Sequence, residues 1–456
     1  MRNYLQNPYN NQSNIRELSR YLYRILGTYK RIVDYYAKMI DMSAYSVVPN
    51  YDITQDPDKE AIRQQYMMTI QKLENMGLKT EYYKLILETW LVGVAYGVVW
   101  ESDEDDEFLI TLLDPAYCKV SSVNFNGTFN YAFDFSYFRS HATQLEYYGE
   151  PFISMYNAYT ADPSNMRWQE LDSSITICLL YDPRDPALVL PPFTPLFEDL
   201  CDLSDLRSIQ AARDELSIYK LLVARMETFS NSDTPDDFSV SPDVAIRFIN
   251  KMADQLDERI GLMISPLPVE LIDFETTDTG ETDKISNSIK NVLLNSGGAQ
   301  ILLGSSISGT TAYRNAMIAD MEFGLHPILD QIERWLNHHL RQVLTDPARV
   351  VMIHTSPYFK EETKDSFLKS AQYGIPNKIA VATLDGFSPM EIMSMSYLEN
   401  DILDLANTWV PLSSSFTKSA DSASTDPTQS TDPIDGGRPE SDEPLSDEGE
   451  KTKENK

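Results

Sequence analysis

One helical pattern outruns what a small domain can bury. From Thr310 to Leu344 apolar residues recur at Ile318, Met321, Leu325, Ile328, Leu329, Ile332, Trp335, Leu336 and Leu340, a spacing that lays one stripe along a helix. At 1.5 Å per residue such a helix spans on the order of 50 Å. Only an elongated body, or neighbouring copies of the chain, can cover a stripe that long. Pro327 falls inside it and predicts a kink, since an interior proline removes a hydrogen bond and crowds the preceding turn.

Composition then narrows the function classes. The formal net charge is −31 over 456 residues. The last stretch, from Ser413, accounts for −6 of it, so the preceding 412 residues carry −25. A body that acidic repels polyphosphate at long range and disfavours tight, non-specific nucleic-acid binding. It does not exclude a passage that must avoid gripping DNA. The three cysteines, Cys118, Cys178 and Cys201, fit no zinc or redox spacing, and a reduced, intracellular setting is expected. The first fourteen residues are polar and Asn-rich, unlike a signal peptide, and the longest apolar stretch, Trp90 to Trp100, is too short to span a bilayer.

The rest of the chain reads as an α+β protein. Helices are predicted at Ile15–Met42, Lys59–Leu78 and Glu81–Val94, followed by strands at Val98–Glu101 and Phe108–Leu113 around the acidic turn Ser102–Glu107. Further strands are predicted at Cys118–Val123, Thr128–Phe138, Phe152–Tyr156 and Ile175–Tyr181. In Phe129, Tyr131, Phe133, Phe135 and Tyr137 every second residue is aromatic, which marks one buried face. A long helix is expected over Leu196–Phe229 and a shorter one over Pro242–Arg259. Short strands follow at Gly261–Ile264 and Val269–Phe274, then a helix at Asp283–Asn295. After the long pattern come a strand, Arg349–His354, and helices at Glu361–Tyr373, Lys378–Leu384 and Pro389–Leu405. The Ser/Thr/Asp/Pro-rich segment from Ser413 has too little apolar surface to fold and is expected to be disordered.

Enzyme signatures are sparse. A phosphate-binding loop of the form G-x-x-x-x-G-K-[ST] is missing from the sequence. Among the five histidines, His338 and His339 are adjacent, point about 100° apart on a helix, and are expected at the surface. Gly304–Gly309 is one residue out of register with a serine nucleophile elbow, and Ser306 has no evident His/Asp partner. The run Asp103–Glu107 lacks the alternation and central glycine of a calcium loop and reads as a solvated turn. Neither a cofactor, a metal nor a catalytic residue is expected.

Two stretches carry a family resemblance. Asn295-Ser-Gly-Gly-Ala-Gln-Ile-Leu-Leu-Gly304, followed by Tyr313 to Arg334 with its Pro327-x-x-x-x-Ile332-Glu333 pattern, is similar to the tunnel loop and long wing helix of tailed-phage portal proteins. Leu368-Lys-Ser-Ala-Gln-Tyr-Gly-Ile-Pro376, leading to Asp385-Gly-Phe-Ser-Pro-Met-Glu391, resembles the start of a portal crown. The resemblance covers roughly Ile15 to Leu405. It implies a flexible segment 1–14, a wing at 15–195 and 310–344, stem helices at 196–229 and 283–295, a clip at 230–282, a tunnel loop at 296–309, a crown at 345–412 and an acidic tail at 413–456.

By that resemblance the chain is not an enzyme but one subunit of a closed ring, usually a dodecamer, at one capsid vertex in the virion. It is assembled in the host cytoplasm, and DNA is packaged and ejected through it. The implied partners are further copies of the chain, the terminase large subunit, head-completion and adaptor proteins, the major capsid and scaffolding proteins, and double-stranded DNA held without sequence preference. Residues expected to line the channel are Ser296, Gly297, Gly298, Gln300, Ser305, Ser306 and Ser308, with Lys284 and Lys290 on the preceding helix. Their hydroxyls and backbone groups can meet phosphates without adding a gripping charge. A structural assembly protein of viral or cellular origin, without a DNA channel, is the alternative.

Overall fold

The computed structural model describes residues 2–52, 54, 58–102, 107–218, 220–225, 238–254, 260–265, 287–292, 295–296 and 310–408. The chain divides into a first unit ending at Ser396 and a second beginning at Tyr397. The described part of the second holds a single π turn, Leu398–Ile402, and the short helix Leu405–Thr408.

The first unit opens with helices α1 (Gln12–Ile25) and α2 (Gly27–Lys38) where one continuous helix is predicted. They part at Leu26, whose backbone is extended so that its side chain can enter the core. Strand β1 (Tyr45–Val48) leads to α3 (Lys59–Asn75), capped by the Asp58 carboxylate accepting from Glu60 N–H, and to α4 (Leu78–Val92). Gly93 ends α4 with φ +90° and lies so close to Leu190 that a Cβ there would stand 2.1 Å from the Leu190 carbonyl oxygen. No side chain fits that position.

Strand β2 (Val94–Glu101) follows and is central in an antiparallel sheet. It pairs with β3 (Phe108–Leu113) on one side and, on the other, with a later strand, β7. Strands β4 (Cys118–Val123) and β5 (Phe129–Asp134) form a hairpin. Phe129, Tyr131, Phe133 and Phe135 are buried as their alternation predicts. The strand stops at Asp134, short of the predicted end, because the Asp134 carboxylate accepts from Ser136 N–H and pairs with Arg167, turning the chain into a helical turn.

Phe152–Tyr156, predicted as a strand, lies instead within helix α5 (Gly149–Ala161). Phe152 and Tyr159 are seven residues apart, so they fall on one helical face, and both are buried. A short apolar run has no unambiguous period. Strand β6 (Trp168–Glu170) then joins β5, and β7 (Thr176–Leu180) joins β2.

Helix α6 (Phe197–Ile218) is shorter than the predicted helix to Phe229, because residues 220–225 are taken by strand β8 (Lys220–Arg225). Helix α7 (Pro242–Ala253) and strand β9 (Ile260–Ser265) follow, and β8 pairs with β9 in parallel. The continuous apolar run Leu221–Ala224 suits a parallel strand as well as a helix, which is why its period misleads. Residues 287–292 are helical, within the predicted Asp283–Asn295. The predicted strand Val269–Phe274, the turn residues 103–106 and the tail from Ser413 lie outside the described residues.

The long pattern is two helices, α8 (Thr310–Gly324) and α9 (His326–Val343), with a turn at Leu325. Pro327 sits in the first turn of α9, where no intrahelical N–H is required. Gly324 packs against the Tyr36 and Trp90 rings, leaving no room for a Cβ. Strand β10 (Arg349–Met352) then pairs antiparallel with β1, about 300 residues earlier in the chain. Helices α10 (Lys360–Gln372), α11 (Lys378–Leu384) and α12 (Pro389–Tyr397) complete the C-terminal part. One core runs through the body. At its centre Tyr36 stacks on Trp90 with ring centroids 4.7 Å apart, and Trp90 stacks on Phe193 at 5.7 Å.

Candidate functional site

Helix α6 starts inside the core and ends outside it. Phe197, Leu200 and Leu203 are buried, with the edge of Phe197 against Tyr29 at 5.6 Å, whereas none of the described residues from Ser204 to Glu215 is buried. The return is at the same place. Val292 is buried in the core cluster, and Asn295 Nδ2 donates to Asp199 Oδ2 at 3.1 Å, one turn into α6. Among the described residues the chain therefore leaves the core after Leu203 and is packed in it again at Val292, with the two places joined through Asp199 and Asn295.

Directly after this junction the chain is held again. The Tyr36 hydroxyl lies 2.9 Å from the Ser296 carbonyl oxygen and 3.2 Å from Asp320 Oδ1, and the Tyr35 hydroxyl donates to Asp320 Oδ2 at 3.0 Å. Ser296 and Asp320 are only 4% and 5% exposed. Burial, and next the neighbouring Asp320 carboxylate, push both phenols well above their ordinary range, so both stay protonated donors. Two adjacent tyrosines of α2 thus fix Ser296, the residue before the Gly/Ser-rich stretch 297–309, and a point about one-third of the way along the long helical pattern. Their role was not visible in the sequence, because Tyr36 and Asp320 lie 284 residues apart.

Of the residues expected to line a channel, Ser296 is buried against the body, while Lys290 is exposed on the helical segment 287–292. Lys284, Gly297, Gly298, Gln300, Ser305, Ser306 and Ser308 lie outside the described residues.

One histidine expected at the surface is not there. His339 is 3% exposed, stacked on Trp335 with ring centroids 4.7 Å apart, and its Nε2 lies 3.4 Å from Glu101 Oε2. Its neighbour His338 is half-buried. The apolar stripe of α9 is wide enough to take in position 339, next to Trp335 four residues back, and the carboxylate at the end of β2 makes the burial tolerable. Glu101 also pairs with Lys72, and these contacts outweigh burial and hold its carboxyl below the ordinary range. Among the described residues no three His, Cys, Asp or Glu side chains converge as metal ligands, and no helix is long and apolar enough to cross a membrane.

No protein-family model matches the sequence, and no curated protein matches it. Solved structures do. A chain in the neck of an empty GTA particle, computed with C6 symmetry, has a TM-score of 0.44 at 15% identity over 82% of this chain and 93% of that one. A chain in the virion of a native gene transfer agent particle gives 0.43 at 14% identity over the same shares. An HK97 family phage portal protein from Corynebacterium diphtheriae gives 0.33 at 13% identity, over 72% of this chain and 93% of that one.

Proposed function

We propose that this chain is a portal-type subunit that closes into a ring and passes double-stranded DNA. One observation carries the reading: the chain leaves the core after Leu203 and is back in it at Val292 beside the Asp199–Asn295 contact, and helix α7 between them buries none of its residues, so we read the segment between the two points as an excursion. Helix α7 is strongly amphipathic yet has no buried residue, and Val244, Ile246, Phe248 and Met252 are all exposed. A contiguous apolar face of this kind belongs in an interface, and repeated copies of the excursion around an axis provide one. A stem-and-clip excursion, a Gly/Ser loop at its return and a kinked helix behind the loop are the order of parts that the sequence resemblance implies.

In this reading the excursion is the stem and clip, docking the terminase large subunit during packaging and head-completion or adaptor proteins afterwards. Major capsid and scaffolding proteins surround the ring at one vertex of the virion. The loop 296–309 faces the channel and meets DNA phosphates through backbone groups and the hydroxyls of Ser305, Ser306 and Ser308, with Lys284 and Lys290 adding a weak, salt-sensitive attraction. The chain's part is structural, with no catalytic residue and no cofactor. The mass of the assembled particle and its negative-stain image test the ring: a multiple of 52.0 kDa with a central hole is expected. A stable single chain in every salt condition, with scaffold co-expressed, refutes it. Deleting Ala299–Ser306 tests the loop. Assembly should be retained while the DNA packaged or held in particles falls, and full-length genomes at wild-type yield would show that the loop has no place in a channel.

A further inference from the structure

The tip of the β4–β5 hairpin presents one aromatic side chain on a turn built to hold it still. Phe125 is 115% exposed, more than in an extended reference chain, and Val123 beside it is also exposed. An exposed phenylalanine on a loose loop would mean little, but this turn is clasped from both sides. Gly127 N–H donates to the Asn124 carbonyl at 2.9 Å, and Asn124 N–H donates to the Thr128 carbonyl at 2.8 Å. The Asn126 carboxamide oxygen accepts from Thr128 N–H at 3.0 Å and from its hydroxyl at 2.7 Å. The side-chain amides of Asn124 and Asn130 bond each other reciprocally, at 2.8 and 3.0 Å. The knob therefore loses little conformational freedom when it binds, which is where preorganisation gains affinity. Beside it the exposed Arg334 guanidinium covers Gly127, and among the described residues it has no ion-pair partner.

The same chain carries a matching hole. A cleft of about 380 Å³ opens between the chain's first residues and the proline-rich segment before α6. It is lined mainly by apolar groups, among them Leu5, Pro8, Leu188 and Pro192. Clefts of this size accept a bulky apolar group. Its rim holds Glu198, exposed in the first turn of α6 and without an ion-pair partner among the described residues. Phe125 is fully exposed, so it does not fill the cleft of its own chain. A rigid aromatic knob beside an unpaired cation, and an apolar hole beside an unpaired anion, are two different surfaces on one molecule. Contacts of that kind are heterologous and propagate head to tail.

We propose that Phe125 of one copy seats in the Leu188/Pro192 cleft of the next copy, with Arg334 facing Glu198 across the rim. The inference rests on the ring reading above and names the surfaces that would join its subunits. The test uses full-length protein with Phe125→Cys and Leu188→Cys together, oxidised mildly and run under denaturing, non-reducing conditions. A ladder of covalent multimers is expected from the double variant and not from either single one. Rings seen by microscopy with no ladder overturn the contact but leave the ring reading standing; absence of rings in the unsubstituted protein overturns both. Phe125→Ser, at a fully exposed position, should leave the unfolding midpoint unchanged and weaken assembly by about thirtyfold, the size expected for loss of an aromatic hot spot. Phe125→Tyr should restore assembly. Normal assembly of Phe125→Ser, or a cross-link from Phe125→Cys only to a co-expressed capsid or scaffolding protein, would overturn the proposal.

Discussion

Gln331 offers a sharp test of how the long helical pattern is tied to the body. Strand β7 is an edge of its three-stranded sheet, and the Leu180 peptide groups on its outer side have no further strand to meet. The Gln331 carboxamide takes that place. Its Oε1 accepts from Leu180 N–H at 2.9 Å, and its Nε2 donates to the Leu180 carbonyl at 2.8 Å and to the Pro327 carbonyl at 2.8 Å. All of this is buried. Gln331→Met keeps length and fills the same space with apolar atoms, but strands the Leu180 N–H and C=O away from water. Each of the two stranded groups costs about 1–3 kcal/mol, so the loss should fall at about 2–6 kcal/mol. Pro327 keeps its helical acceptor role and adds little. Urea unfolding of the variant against the unsubstituted chain gives the global figure, and amide hydrogen exchange at Leu180 gives the local one. A midpoint equivalent to less than ~0.5 kcal/mol of change, with Leu180 protection intact, would show that the side-chain bridge does not hold the edge strand.

Gly93→Ala should be far worse than its size suggests, at least ~3 kcal/mol, because the new Cβ meets the Leu190 carbonyl in a left-handed backbone. Gly374→Ala, also left-handed but with open space around it, should cost only ~1 kcal/mol; equal losses in thermal unfolding would refute the steric reading. Asp41 and Asp134 are held below the ordinary carboxylate range despite burial, which by itself would raise them, by hydrogen bonds from Ser43 and Lys360 to the one and from Arg167 and Ser136 to the other. A carboxyl depressed in the folded state stabilises above its unfolded value, about 4, and loses that contribution as pH falls through its folded value. Unfolding midpoints measured from pH 6 downward should therefore drop below about pH 4, and Asp134→Asn should flatten the drop; a pH-independent midpoint counts against the ion pairs. Burial pushes the Cys118 and Cys178 thiols up, whereas Cys201 is half-buried. A thiol reagent should modify Cys201 first in the folded protein, and equal rates at all three would contradict the burial.

Much of the architecture was legible from period and punctuation. The β4 strand, helix Lys378–Leu384 and the break at Pro327 follow directly from alternation, apolar spacing and a proline that cannot sit mid-helix. Failures cluster where a short apolar run has two readings. Phe152–Tyr156 alternates well enough for a strand, yet Tyr159, one turn beyond, joins Phe152 on a helical face. Leu221–Ala224 continues the preceding helical stripe but pairs as a strand with residues about 40 positions later, a partner no local window contains. The same limit hid the loop anchors. Tyr36 and Asp320 lie 284 residues apart, and only their meeting in the fold turns a core tyrosine and a helical aspartate into a clamp. His339 was misplaced because adjacency to His338 says nothing about which of the two faces the core.

The way the excursion is rooted bears on what it can withstand. A surface loop tied down by polar contacts opens at little cost, because water replaces each bond and the net worth of one is only about 1 kcal/mol. The two ends of the proposed excursion are not tied in that manner. The outgoing end begins as a helix whose first turns bury Phe197, Leu200 and Leu203, and the returning end places Val292 in the same cluster as Phe197 and Leu200. Each such side chain is stabilised by roughly 1.5–3 kcal/mol through burial, and withdrawing Phe197 would also strip its edge contact from Tyr29. The polar Asn295–Asp199 bond sets the register of the two ends, while the apolar anchors bear the strain. The Tyr36 ring packs on Trp90 and Phe193 while its hydroxyl lies against both Ser296 and Asp320, so the chain at Ser296 and the first helix of the long pattern meet at one side chain of the aromatic centre.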